Sequence, residues 1–220
     1  MKRLWNVKYF TIIDIQHAFN TICMKDSAKN WTTFRTHEGS YHYLMMPFSL
    51  CNGPSTYQRF INGIMMDILD DFVVVYIDDI LIYSNTYEDH IKHVTEVLER
   101  LGKANLHADI KKSNFHTDSV KFLGLIIGKD GLHMDPEKVA AIKDWQEPRS
   151  LKGLQSFLRF CNYYQEFLPE FRCTVHPLQK LTKKDSWRPF GEAEKEAFQK
   201  TKDLITSGEL LAHFLPILPS

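Results

Sequence analysis

Most of the signatures that would assign this 220-residue chain at a glance are missing, and each absence removes a class. Lysine plus arginine number 27, as do aspartate plus glutamate, so no overall field of one sign draws in nucleic acid. Any such binding has to come from local patches. Cysteine is scarce: Cys23, Cys51, Cys161 and Cys173 form no CxxC pair and no framework spacing, which argues against disulfides and for reduced thiols inside a cell. No apolar run approaches the roughly 20 residues a membrane span needs, and "MKRLWNVKYF" lacks the apolar core of a signal peptide. There is no repeat, no low-complexity tract and no HExxH zinc motif among the ten histidines. His90 and His93, at i and i+3, lack a third ligand and read as solvated residues on the polar face of a helix. Cys161, Cys173 and His176 lack zinc-site spacing.

What is present is a globular composition, 44% hydrophobic, enough for one large domain or two small ones. Two textures divide the chain near residue 133. From Tyr9 to about Tyr83, β-branched and aromatic runs predict strands, interrupted by one helical stretch in "PSTYQRFINGIMMDIL". There Tyr57, Phe60, Ile61, Ile64, Met65 and Ile68 recur at helical spacing and Pro54 stands near the start. Thr86 and Asp89 form a capping box opening a helix with apolar face Ile91, Val94, Val97, Leu98 and Leu101. "VKFLGLII" and "GLHM" read as a hairpin about Lys129 to Gly131. Beyond, Asp135-Pro136 opens one helix, Ser150 another with Leu154, Phe157, Leu158 and Cys161, and Glu192 to Ile205 makes a third.

One stretch is out of keeping with a folding role. In "FVVVYIDDILIYS", Phe72 to Ser84, two aspartates separate two strand-like runs. Two readings fit. Asp78-Asp79 is turn chemistry, since aspartate bonds its own amides and tolerates unusual backbone angles. Alternatively it is a cation site, because two adjacent carboxylates repel unless a cation lies between them. A third carboxylate, Asp14 at the end of the run in "YFTIIDIQHAFNTI", is by itself an ordinary strand-end residue.

Taken in order, "YFTIID", "MPFSLCNGPSTYQ", "VVYIDDILIYS", "KFLGLII" and "LQSFLRFCNYYQEFL" resemble reverse transcriptases, most closely those of gypsy-type long-terminal-repeat retrotransposons. In that family the pieces read as a first-aspartate strand, "MPFGL…N.P..FQ", "VVYLDDILIYS", "FLG" and "L..FLGL.NYYR.FI". The resemblance runs almost end to end. It implies an α+β fold: a right-hand polymerase palm, with an antiparallel sheet and helices on one face, over residues 1–132 with incomplete fingers. A mostly helical thumb and connection would follow over 133–220, ending where a ribonuclease H region starts.

The resemblance also implies the site. Asp14, Asp78 and Asp79 would be the catalytic carboxylates, holding two Mg²⁺ ions, or Mn²⁺ in their place, together with the Ile15 carbonyl. Phe19 would lie beneath the incoming sugar and exclude a 2′-hydroxyl; from chemistry alone it reads as a core ring. Phe48 and Ser49 would line the nucleotide pocket, and Lys112 would protonate the departing pyrophosphate. Ser49 replaces the family's usual glycine, which matters if the backbone there needs a positive φ. Gln58, Tyr76, Phe122, Leu123 and Gly124 would touch primer and template. Lys138, Lys143, Arg149, Lys152 and Arg159 would grip the duplex, though each also reads as part of a solvated charged face.

The implied partners are an RNA or DNA template with its primer, an RNA–DNA hybrid and deoxynucleoside triphosphates. Protease, ribonuclease H and integrase domains of the same polyprotein would be neighbours, and the cytoplasm, a virus-like particle or the nucleus the location, with no membrane involved. The function expected is RNA-directed DNA polymerisation by two-metal phosphoryl transfer. A second class stays open: a non-catalytic, retroelement-derived domain that binds nucleic acid or protein. The aspartates and Phe19 favour the first; the missing fingers and Ser49 favour the second.

Overall fold

The computed structural model describes residues 7–168, 170–183, 186–207 and 210–212. They form two compact units, the first ending at Phe122 and the second starting at Leu123. The change in sequence texture near residue 133 therefore falls inside the second unit, ten residues or so beyond its start.

The first unit opens with strand β1 (Tyr9–Asp14), a short helix α1 (Asp26–Lys29) and a separate hairpin of β2 (Phe34–Thr36) and β3 (Gly39–Tyr41). Helix α2 (Gly53–Ile64) follows, with Pro54 in its first turn, where a missing amide hydrogen costs nothing. Next come β4 (Val73–Tyr76), β5 (Asp79–Ser84), α3 (Tyr87–Lys103), β6 (Asn114–Thr117) and β7 (Ser119–Phe122). The sheet order is β4-β5-β1-β6, antiparallel throughout.

Residue parity decides what each face of this sheet does. Ile13 pairs with Ile80 and Thr11 with Ile82, while Asp14 pairs with Asp79. Ile13, Ile80 and Ile82 join Tyr57 and Ile61 of α2 and Val94, Val97 and Leu101 of α3 in one buried cluster. Side chains alternate along a strand, so Asp14 and Asp79 stand on the opposite face from the helices. The hydrophobic cluster thus fixes the register that brings the two carboxylates together. A one-residue slip would reverse every side chain. Truncating a fully buried member such as Ile61 to alanine costs about 2–5 kcal/mol.

Helix α3 departs from its expected face. Thr86 caps it as anticipated, accepting the Asp89 amide at 3.2 Å. The buried residues, however, are His90, Val94, Val97 and Leu101, whereas Ile91 and Leu98 are exposed. His90 is not solvated as the sequence suggested. Its Nε2 lies 2.8 Å from the Thr11 hydroxyl and its Nδ1 2.9 Å from the Ser84 hydroxyl, so a ring with both nitrogens satisfied sits in the core. His93 is only half-exposed: it bonds the same Ser84 hydroxyl at 2.7 Å and stacks on Phe72 at 3.8 Å.

The second unit contains β8 (Leu125–Gly128), β9 (Gly131–Met134), α4 (Pro136–Lys143), α5 (Leu151–Asn162), α6 (Phe171–Lys180), α7 (Glu192–Ser207) and β10 (Leu210–Ala212). The β8–β9 hairpin turns where expected, and β10 pairs with β9. "VKFLGLII" is broken rather than continuous, because Leu123 and Gly124 both adopt positive φ, 49° and 72°. Asp135 and Ser150 cap α4 and α5 as anticipated, each accepting a backbone amide from the first turn. Helix α6 had no start signal in the sequence and carries Pro177 inside it, held helical by buried Phe171, Val175 and Leu178.

Candidate active site

The site grows from the β4–β5 hairpin. Tyr76 pairs with Asp79, leaving Ile77 and Asp78 as a two-residue loop. Ile77 takes φ of 55°, a left-handed conformation that costs a β-branched residue of order 1–3 kcal/mol and persists only where neighbours enforce it. Two neighbours do so. The Ile15 amide donates to the Asp78 carbonyl at 3.0 Å, tying the loop to the end of β1. From α2, the Gln58 side chain accepts the Ile77 amide at 2.7 Å and donates to the Val75 carbonyl at 3.1 Å.

Asp14 is braced separately, by a turn that sequence reading missed. Its amide donates to the Ser113 hydroxyl at 3.2 Å, and its carbonyl accepts the Asp109 amide at 2.8 Å. The Ser113 hydroxyl in turn donates to the Asp109 carbonyl at 2.7 Å. This turn carries Lys112, whose Nζ lies 3.6 Å from Oδ1 of Asp14. The only hint of it in the sequence was the spacing of Asp109 and Ser113, a common turn pattern.

A pocket of about 320 Å³ brings Asp14, Ile15, Phe19, Phe48, Asp78 and Lys112 together, with His17 and Asp109 also in its wall. Asp79 stands beside Asp14 across the strands rather than in the pocket lining. Burial pushes the Asp79 carboxyl above its ordinary pKa, and the charges of Asp78 and Asp14 push it further. The Phe19 ring lies 5.4 Å from Phe48 and 5.6 Å from Tyr57, with its edge 3.7 Å from where a Cβ on Gly53 would be. The Tyr57 hydroxyl is buried with no hydrogen-bond partner among the described residues. Burial, and then the Asp78 charge, drive its pKa upward.

Ser49 has φ of 73°, so the position the family pattern reserves for glycine does use the left-handed region. Tyr76 is half-exposed beside the aspartates. Phe122 is buried at the end of the first unit. In the second, the Leu123 carbonyl accepts the Tyr163 hydroxyl, and Lys138 Nζ lies 4.9 Å from the centre of the Tyr163 ring. A Cβ on Gly124 would clash with that ammonium. Lys143, Arg149, Lys152 and Arg159 are exposed.

Among the described residues no three His, Cys, Asp or Glu side chains converge closely enough to hold one ion. The donor set still fits a hard divalent cation: all its atoms are oxygens, and burial together with the like charges of Asp78 and Asp14 raises the Asp79 pKa.

An antiparallel sheet with helices on one face, one aspartate on an inner strand and two more at an adjoining hairpin is a nucleic-acid polymerase palm, followed by a mostly helical unit. The chain belongs to the reverse transcriptase (RNA-dependent DNA polymerase) family, whose model matches residues 1–127. It is 37% identical over 220 residues to the retrovirus-related Pol polyprotein from transposon opus of Drosophila melanogaster, a match covering 95% of this chain and 22% of that one. The Pol polyprotein from transposon gypsy of the same fly is 29% identical, with 97% and 22% covered. Transposon Tf2-3 polyprotein of Schizosaccharomyces pombe is 35% identical, with 93% and 15% covered. The chain thus spans under a quarter of the length of these relatives. Among solved structures, a foamy viral protease-reverse transcriptase in complex with RNA/DNA hybrid matches with TM-score 0.80 at 24% identity, covering 90% of this chain and 27% of the other. A form of that protein in complex with double-stranded DNA matches at TM-score 0.83, with 91% and 35% covered.

Proposed function

We propose that this chain is the core of an RNA-directed DNA polymerase, adding deoxynucleotides to a primer paired with an RNA or DNA template. The observation that carries this reading is the cross-strand pairing of Asp14 with Asp79, one residue from Asp78. The family as a whole depends on a divalent metal. Mg²⁺, as two ions, would be held here by Asp14, Asp78, Asp79 and the Ile15 carbonyl, and would supply charge neutralisation at the attacking 3′-oxygen and the leaving pyrophosphate. Mn²⁺ has the same ligand preference and can replace it.

The chain's own residues do the remaining work. Phe19, wedged between Phe48 and Tyr57, closes the space where a ribose 2′-hydroxyl would sit and selects deoxynucleotides by exclusion. Phe48 and the Ser49 backbone form the mouth of the nucleotide pocket. Lys112 holds a proton within reach of the site and delivers it to the departing pyrophosphate. Tyr76 supports the primer terminus, and Leu123 and Gly124, backed by the buried Phe122, hold the primer strand in line for attack. Lys138, Lys143, Arg149, Lys152 and Arg159 contact duplex phosphates, in keeping with the nucleic-acid complexes of the foamy viral relatives. Protease, ribonuclease H and integrase activities belong to further domains of the parent polyprotein.

A second reading, a non-catalytic nucleic-acid-binding domain, is favoured by one observation: a serine held at positive φ next to Phe48 of the pocket wall. Primer extension on a homopolymer template with Mg²⁺ or Mn²⁺ separates the two. The polymerase reading requires extension that disappears in Asp78→Asn. Equal extension by that variant sinks it, and template binding without any extension returns the second reading.

A further inference from the structure

Gln58 was expected to touch template, yet its amide is already committed. The Ile77 amide must donate and the Val75 carbonyl must accept, so the side-chain oxygen can only face Ile77 and its nitrogen only Val75. The same nitrogen donates to Oδ1 of Asn62, one turn further along α2, at 2.8 Å. Among the described residues β4 is the edge strand of the sheet, with β5 on one side and, at Val73 alone, an isolated bridge to Leu69 outside any other strand. The Gln58 carboxamide occupies that outer side as a peptide group would, accepting at one residue and donating at another two positions away. It extends the ladder by a single unit at the place where the hairpin turns.

We propose that Gln58 is a positioning residue for Asp78, fixing the left-handed Ile77 so that the Asp78 carboxylate faces the Asp14 pocket. Ile77 is the residue immediately before Asp78, and its backbone angles set the direction in which the next side chain leaves the loop. The other tie on the loop, from the Ile15 amide, restrains the Asp78 carbonyl, whereas the Gln58 bond holds the Ile77 amide itself. Gln58 therefore acts on the cation site through the backbone. It needs no contact with template, nucleotide or metal to do so. This inference rests on the metal-site reading of Asp78.

The test uses the 220-residue chain without nucleic acid and reads Mn²⁺ binding by paramagnetic resonance, together with amide hydrogen exchange at Ile77. Gln58→Met keeps the side-chain length and removes the donor and acceptor. Gln58→Glu keeps an acceptor for Ile77. In Gln58→Met the Ile77 amide should exchange much faster while the β1 and β5 amides stay protected, and Mn²⁺ affinity should fall about tenfold, as for other supports of a ligating carboxylate. Gln58→Glu should keep more of the Ile77 protection than Gln58→Met. Wild-type Mn²⁺ affinity in a folded Gln58→Met chain would overturn the proposal, as would unchanged exchange at Ile77. If Gln58→Met fails to fold, equal Ile77 exchange and Mn²⁺ affinity in Gln58→Glu and Gln58→Leu overturns it. Asp78→Asn run alongside separates the two levels. Unchanged Mn²⁺ binding there removes the metal-site reading itself, whereas loss in Asp78→Asn without loss in Gln58→Met removes only the role of Gln58.

Discussion

The ammonium of Lys112 lies 3.6 Å from Oδ1 of Asp14, so the carboxylate that begins the site already has a cation beside it. The lysine is two-thirds exposed, which makes the pair weak and easily opened. It lowers the negative potential that a divalent ion would feel. Lys112→Ala should therefore tighten Mn²⁺ binding a few-fold at low salt, an advantage that fades as salt screens the site. Extension by the same variant should slow if the proton donor is lost. Titration and single-turnover rates, measured on one preparation, give both signs.

Asp79 shows the opposite balance. Its pKa is raised by burial and by Asp78 and Asp14, so the folded chain holds that proton more tightly than the unfolded one. Stability linked to Asp79 is present below its ordinary pKa of about 3.8 and is lost as pH rises through the raised folded value. At neutral pH without divalent metal, Asp79→Asn should melt several degrees higher than the wild type. Millimolar Mg²⁺ should close that gap by raising the wild-type melting temperature alone. A variant no more stable than wild type in chelator would disprove the repulsion.

His90 responds to acid in the other direction. Burial pushes its pKa down to about 4, with the nearby His116 and His93 adding to the shift. The unfolded histidine takes up a proton near pH 6.5 and the folded one only near 4, so stability is full above 6.5 and is lost as pH falls between those values. The loss approaches about 3 kcal/mol at the acid end, from the 1.36 kcal/mol carried by each pKa unit. Thr11 and Ser84 offer hydroxyls that suit a neutral ring, and among the described residues no carboxylate is bonded to it. His90→Gln should be less stable at neutral pH and much less pH-sensitive from 6.5 to 4, by thermal melts followed by circular dichroism.

Ser49 carries strain that glycine would not. At φ of 73° a side chain costs about 1 kcal/mol, partly offset by glycine's greater freedom when unfolded. Ser49→Gly should raise the melting temperature by a degree or two. If the serine also distorts the pocket wall, the nucleotide KM should fall in the same variant. A lower melting temperature would mean that the serine hydroxyl contributes a stabilising contact.

The aspartates were legible in the sequence because adjacent carboxylates between two apolar runs have no packing reason to exist, and their motif order was distinctive. Thr86, Asp135 and Ser150 were legible as caps because capping is local chemistry. The burial of His90 was not. Its partner Thr11 lies 79 residues away, and nothing near His90 in the chain announces a hydroxyl pair waiting for a ring. The bonds of Gln58 escaped for the same reason, since its partners Val75 and Ile77 belong to an element the helix meets only in three dimensions. Ser49 lay between these cases: its replacement of glycine was visible, but only the backbone angle gives that replacement its meaning.

The place of β1 in the sheet sets a timetable for the ribosome. β1 is made first, yet both of its partners come later: Asp14 pairs with Asp79, and Phe10 pairs with Thr117. The hairpin of β4 and β5 can form as soon as it is made, whereas β1 must close loops of about 65 and then about 105 residues, an entropic delay that slows assembly. The first of these closures needs only β1 and β5, so Asp14 can join the hairpin once Ser84 has been made. The turn from Asp109 to Ser113, which braces Asp14 and supplies Lys112, arrives later still. The brace on Asp14 completes the arrangement only once the chain has been made as far as Ser113.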